Sequence, residues 1–211
     1  MKLYYASGGC SITPHLVLEK MGKPFDCEHV NIREGGTRAE GFLQINPKGK
    51  TPVLVLDDGT VITENPIICQ YLADTNPEAE LLPADLKTRF EALQISAYFC
   101  DTVHNYGLTR LFRPGFFCGG EIYWDGIRKE GEQVVTKAFG LIAPRLENST
   151  FLFDSFSITD AAVFYSEMHA SRLKIAMPPS VRAHFEMMLS LPETQRVLAR
   201  EELDMTEYLP A

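Results

Sequence analysis

The sequence predicts a small mixed α/β unit over residues 1–77 followed by an all-helical unit over residues 86–211. Three observations predict it. Strand-type and helix-type apolar spacings alternate up to Asn76-Pro77. The Pro- and Glu-rich stretch NPEAELLPAD then reads as a linker. Beyond it no strand alternation appears, and apolar residues recur three and four apart, as on one face of a helix.

The first unit reads β-α-β-α-β-β-α. KLYYA is a short strand. PHLVLEKMG has helical spacing, with Pro14 suited to a first turn and Gly22 to a stop. FDCEHVNI alternates apolar and polar residues, as a half-buried strand does. AEGFLQINPKG is a short irregular helix ended by Asn46-Pro47. PVLVL, the turn DDG and TVIT form a hairpin. ENPIICQYLAD is a helix with Pro66 near its start. In the second unit, Phe90, Leu93, Ala97, Cys100, His104, Gly107 and Leu111 mark the buried stripe of one long helix over Lys87–Arg113. Further helices are expected near 121–147, 158–173, 179–190 and 193–203. Ser157-x-x-Asp160 is a capping box at the start of one of them.

The chain has 211 residues, 45% of them apolar and 23% charged, which suits an ordinary globular protein with a real core. Its net charge of −8 argues against nucleic acid or anionic membranes as main partners. No apolar run is long enough to span a membrane. The opening run reads as a strand rather than a secretory leader, so a cytoplasmic protein is expected. Cys10, Cys27, Cys69, Cys100 and Cys118 are odd in number and contain no CxxC pair; with five scattered histidines they form no zinc pattern. Reduced thiols are expected, with Cys27, Cys69 and Cys100 inert on apolar faces.

Cys10 lies after a strand, in the loop ASGGCS, at the entrance to a helix. Unpaired amides and the helix dipole favour negative charge there, so its thiol pKa is expected to be low. Cysteine is also a common small core residue, and position alone leaves both readings open.

MKLYYASGGCSITPH closely resembles the opening of the bacterial beta-class glutathione transferases. NPKGKTPVLVLDDGTVITENPIICQYLAD looks like that family's glutathione-binding core. HNYGLTRLFRP resembles its active-site histidine stretch, and FSITDAAVF its buried capped helix. The resemblance runs through nearly the whole chain, in the family's order. It implies a thioredoxin-like domain, residues 1–77, that binds glutathione as co-substrate, and an all-α domain, residues 86–211, that binds a small hydrophobic electrophile. It also implies a homodimer.

The resemblance further implies roles for individual residues. Cys10 sits beside the glutathione sulfur and can form a mixed disulfide with it. His104 faces the same sulfur from the second domain, and Tyr5 is a weaker hydroxyl candidate. Thr51 offers its backbone to the tripeptide before a cis Pro52. Glu64 pairs with the α-ammonium, and Asn65, a good N-cap, stands where the family has a small residue. The chain departs from the class in four places. The loop lysine after the second strand is missing, so Arg33 or Arg38 must substitute, and Ala97, Asn105 and Phe153 replace Asn, Lys and Gly. LFRPGFFCGGEIYW lines either a substrate pocket or the core. Conjugation of glutathione to electrophiles is the leading expectation. The alternatives are a thiol-disulfide oxidoreductase, peroxidase or dehalogenase using Cys10, and a non-catalytic regulator on the same fold.

Overall fold

A computed structural model describes residues 1–209. The last two residues of the expected helical unit, Pro210 and Ala211, lie outside the described residues. The elements run β1 (Lys2–Tyr5), α1 (Ile12–Met21), β2 (Asp26–His29), α2 (Glu40–Ile45), β3 (Val53–Val55), β4 (Val61–Thr63) and α3 (Asn65–Thr75). Helices alone follow: α4 (Leu86–Tyr98), a π-helical segment (Phe99–Leu108), α5 (Thr109–Phe112), α6 (Trp124–Leu146), α7 (Ile158–Arg172), α8 (Pro179–Ser190) and α9 (Pro192–Arg200). Short 3₁₀ turns join several of them. This is a thioredoxin-like unit followed by a helical bundle.

The sheet order is β2-β1-β3-β4. β1 runs parallel to β2 and antiparallel to β3, and β3 is antiparallel to β4. Leu3 pairs with Leu54, and both are fully buried. β2 is an edge strand, and three of its four residues are exposed. The expected alternation holds at Phe25 and Cys27, which are partly buried against the core while Asp26 and Glu28 face out; what the alternation does not show is that β2 forms the edge of the sheet. Gly22 ends α1 with a left-handed φ of 66°, which glycine adopts without steric cost.

The long helical stripe also needs correcting. Phe90 is 57% exposed and Ala97 is exposed, whereas Ala92, Ser96, Phe99, Val103 and Gly107 are buried. The core-facing row lies one residue away from most of the expected stripe. The cause is a close crossing with α6. A Cβ on Gly107 would stand 3.0 Å from Val135, and one on Gly131 would stand 2.7 Å from the Gly107 carbonyl. The two glycines set the rotation of this helix, and Leu93, Cys100, His104 and Leu111 are left only partly buried. The linker is not loose either. Leu81 and Leu82 are buried, and the Leu81 carbonyl accepts the Ile158 amide at 3.0 Å.

Phe99, Phe139, Phe164 and Phe185 are fully buried in the helical half, and burial of each contributes about 1.5–3 kcal/mol. α7 crosses that core and is buried along nearly its whole length. Its capping box is complete. Asp160 accepts from the Ser157 and Leu152 amides, each at 2.8 Å, and from the Ser157 hydroxyl. Both ring nitrogens of His184 face carboxylates, Glu167 at 2.8 Å and Asp160 at 3.2 Å. Burial opposes protonation of His184, but the two carboxylates outweigh it and hold its pKa up at about 10. Among the described residues no helix is long and apolar enough to cross a membrane.

Asp160→Ala is expected to lower stability by about 3–5 kcal/mol, because it strips a buried imidazolium of one partner and two buried amides of theirs. Guanidinium unfolding measures this, and a loss below about 1 kcal/mol would contradict the structural role assigned to Asp160.

Candidate functional site around Cys10

The loop Ala6–Ser11 carries Cys10 from β1 into α1. Ser11 braces it: the Ser11 hydroxyl accepts from the Ala6 amide at 3.0 Å and donates to the Ala6 carbonyl at 3.1 Å. Gly9 N–H donates to Ala6 O at 2.9 Å. The first amides of α1 are already used, since Ile12 and Thr13 donate to the Gly9 and Cys10 carbonyls.

The Cys10 thiol points at the Thr51 carbonyl, 3.9 Å away. The Thr51-Pro52 bond is cis. Among the described residues, no protein group accepts from the Thr51 amide. From the other side, Asn65 Nδ2 donates to the Cys10 carbonyl at 2.6 Å, and Asn65 Oδ1 accepts from the Cys69 thiol at 3.6 Å. Asn65 is therefore a buried strut and not the N-cap that the sequence suggests. The cap position belongs to Glu64, which makes no capping side-chain bond. Glu64 has a φ of 71°, a strained value for a residue with a Cβ. Its carboxylate pairs with Lys48.

The expected low thiol pKa is not observed. Burial is the largest influence on Cys10 and pushes its pKa up to about 11. The Cys10 amide, Lys50 and Asn65 favour the thiolate, but they do not offset that burial. The Cys10 amide at the helix end still favours the anion, but burial outweighs it. Cys10 is a neutral thiol at physiological pH.

His104 lies on the π-helical segment, its ring edge-on to Tyr165 with centroids 5.0 Å apart. Burial, helped by Lys50, lowers its pKa to about 4, so its imidazole is neutral. Lys50 thus acts electrostatically on both Cys10 and His104. Sequence reasoning missed it, although it directly precedes Thr51. Tyr165 was missed as well. It is buried beside His104, and its hydroxyl pKa is raised by burial and then by Cys10. Cys100, expected to be inert, is within electrostatic reach of Cys10, and burial raises its thiol pKa to about 12.

Two expected site residues are elsewhere. The Tyr5 hydroxyl donates to the Arg200 carbonyl at 3.2 Å, and its ring packs between His15 and His29. Its role is to tie β1 to the end of α9. Arg33 is exposed, and its guanidinium has no hydrogen-bond or ion-pair partner among the described residues. Lys50 supplies the positive charge near Cys10 instead. Arg38 is also exposed. A cavity of about 420 Å³ lies under the linker, lined by Leu82, Arg89 and Phe153 among others, but it is lined by none of the groups around Cys10.

A mixed four-stranded sheet with a thiol at the head of its first helix, a cis-proline loop opposite and a helical bundle alongside defines a class of thiol-handling two-domain proteins. Residues 9–75 match the family described as glutathione S-transferase, N-terminal domain. The chain is 32% identical over 208 residues to the glutathione S-transferase GstA of Escherichia coli, covering 96% of this chain and 100% of that protein. It is similar in structure to a sphingomonad glutathione S-transferase complexed with glutathione, with a TM-score of 0.79 and 26% identity over 97% of this chain and 100% of that one. It is also 33% identical over 119 residues to the maleylacetoacetate isomerase of Pseudomonas aeruginosa, covering 54% of this chain and 56% of that protein. This chain belongs to the glutathione S-transferase family.

Two pH effects follow. Alkylation of Cys10 by iodoacetamide is expected to accelerate through pH 9 and onward toward pH 11; a plateau below pH 8 would mean a thiolate at neutral pH. The folded pKa of His104 is depressed from 6.5 to about 4, so the unfolded chain takes up the proton first. Its contribution to stability is complete above pH 6.5 and is lost as pH falls through 4. His104→Gln should therefore flatten the fall in the urea midpoint between pH 6.5 and 4 relative to the unaltered protein.

Proposed function

We propose that this protein binds glutathione at the corner formed by Cys10, Thr51 and Asn65 and conjugates the glutathione thiolate to small hydrophobic electrophiles, forming a sulfur–carbon bond as the electrophile's leaving group departs, as a cytoplasmic enzyme. The observation that carries the reading is the convergence of the Cys10 thiol on the Thr51 carbonyl at a cis Thr51-Pro52 bond, with the Thr51 amide left unused. An extended tripeptide pairs with that backbone as an added strand does. The first-turn amides of α3 suit its α-carboxylate, and Glu64, now paired with Lys48, is the acid available to its ammonium. In this reading residues 1–77 hold the tripeptide and residues 86–211 hold the electrophile.

The chemistry follows from the charge states. Cys10 is protonated, so the reactive thiolate belongs to glutathione. A neutral Cys10 S–H and a neutral His104 ring are hydrogen-bond donors to that sulfur, and the Lys50 ammonium adds a favourable field. The electrophile meets an apolar wall that includes Tyr165, packed against His104, and Phe112, packed with Tyr165 against His169. A thiol pKa near 11 works against a redox role in which Cys10 itself attacks a disulfide. The partial match to an isomerase makes isomerisation at the same glutathione sulfur the second reading.

The test is retention on glutathione resin together with conjugation of an activated aryl halide. Lys50→Ala is expected to raise the KM for glutathione about tenfold, equivalent to ~1.4 kcal/mol. Cys10→Ala is expected to lower conjugation by less than about tenfold, since the reactive thiolate is that of glutathione. No retention and no turnover would overturn the proposal.

We also infer a homodimer. Val61, Ile67, Leu86 and Phe90 are large apolar side chains exposed on the adjoining elements β4, α3 and α4. Phe90→Glu combined with Ile67→Glu should halve the mass measured by light scattering. An unchanged dimer would place the interface elsewhere.

A further inference from the structure

Gly8 stands two residues before Cys10. Both polar atoms of this glycine are gripped by side chains from the helical half of the molecule. The Gly8 N–H donates to Glu201 Oε2 at 3.0 Å. The Gly8 carbonyl lies 3.0 Å from His169 Nε2. His169 is 5% exposed and Glu201 is 2% exposed. Glu201 is itself fixed, because its Oε1 bonds His15 Nδ1 at 2.7 Å and its backbone carbonyl accepts the Ser7 hydroxyl at 2.5 Å. Gly8 has a φ of +65°, and a Cβ there would stand 3.1 Å from the Tyr208 hydroxyl and 3.3 Å from the Leu203 side chain. The C-terminal segment therefore walls the loop as well as bonding it.

We propose that His169 and Glu201 are positioning residues for Cys10, holding the backbone of Gly8 and through it the depth at which the thiol sits against Thr51. The choice of residue at position 169 argues for this. A carbonyl only accepts, so Nε2 must carry the hydrogen. Nδ1 is then bare, and among the described residues it is buried without a hydrogen-bond partner, next to Phe112, Tyr165 and Tyr208. An unpaired buried acceptor is costly, and a position that needed only packing would be better filled by phenylalanine. The imidazole is worth keeping only for its Nε2–H. Tyr165 packs against both histidines, 4.7 Å from His169 and 5.0 Å from His104. One buried aromatic stack thus joins the loop clamp to the π-helical segment. The inference concerns the thiol itself and stands apart from the glutathione reading.

The experiment follows Cys10 alkylation by iodoacetamide at pH 8, using the mass of the Cys10 peptide, with Cys27 as internal reference. His169→Phe removes the donor and keeps a ring, whereas His169→Gln keeps an N–H of similar reach. His169→Phe is expected to speed Cys10 alkylation about fivefold or more, because the released loop lets solvent reach the thiol. His169→Gln should stay within about twofold of the unaltered protein, with Cys27 unchanged in both. A His169→Phe rate equal to that of the unaltered protein, or equal acceleration in both variants, would overturn the proposal. A measurement on the unaltered protein guards against misfolding of the variants. Nitrogen NMR of His169 at pH 7 must show a protonated Nε2 and a bare Nδ1, and the opposite tautomer or an imidazolium would equally overturn it.

Discussion

Helix α1 is buried from Ile12 to Glu19, and it carries two ionisable side chains, His15 and Glu19, into that burial. A buried polar group without a partner is expensive, so α1 can pack only where partners exist for both. α9 and the residue after it provide them. Arg196 and Arg200 reach Glu19 at 2.7 and 3.1 Å, and Glu201 reaches His15 at 2.7 Å. Lys20 and Glu193 add a contact at the rim. The C-terminal helix is thereby registered against the first helix, residue by residue. β1 and the Cys10 loop are held to the same line through Tyr5, Ser7 and Gly8.

This constraint explains the electrostatics of the site. A cysteine at a helix N-terminus is a familiar setting for a thiolate, but the helix dipole contributes at most about 2 kcal/mol. Closing the loop with the helical half enough to bury the thiol costs more than that, because an anion loses its hydration there. Desolvation wins, and Cys10 keeps its proton. The same closure strips His104 and His169 of theirs. The site is therefore built from neutral donors, with Glu64 and Lys50 as opposing charges acting on Cys10 and Lys50 acting on His104.

Much of the fold was legible in the sequence, and the misses are specific. Pro66, Gly22 and the Ser157/Asp160 box sit where their local chemistry places them, since capping and turn formation involve residues within about four positions of one another. The edge position of β2 was not legible, because alternation reports which residues are apolar and not how many neighbouring strands there are. The rotation of the long helix was not legible either. It is set by Gly107 meeting Gly131 across 24 positions, and the stripe of apolar residues looks equally good one residue away. In the site, Cys10, Thr51, Pro52 and Asn65 could be singled out from motif and resemblance. Lys50 was overlooked beside them, since an exposed lysine has no periodic signature. Tyr5 was read as chemical because its hydroxyl's partner, the Arg200 carbonyl, lies 195 positions away.

The sequence by itself determined the order of strands and helices, the caps that start and stop them, and the presence of a cysteine where a strand turns into a helix. All of these rest on interactions among near neighbours in the chain. Only the tertiary structure decided that Cys10 is a neutral thiol, that Asn65 is a strut, and that His169 and Glu201 hold Gly8. Burial and hydrogen bonding between residues as far apart as Gly8 and Glu201 exist only once the two halves have closed on each other, and protonation answers to that closure.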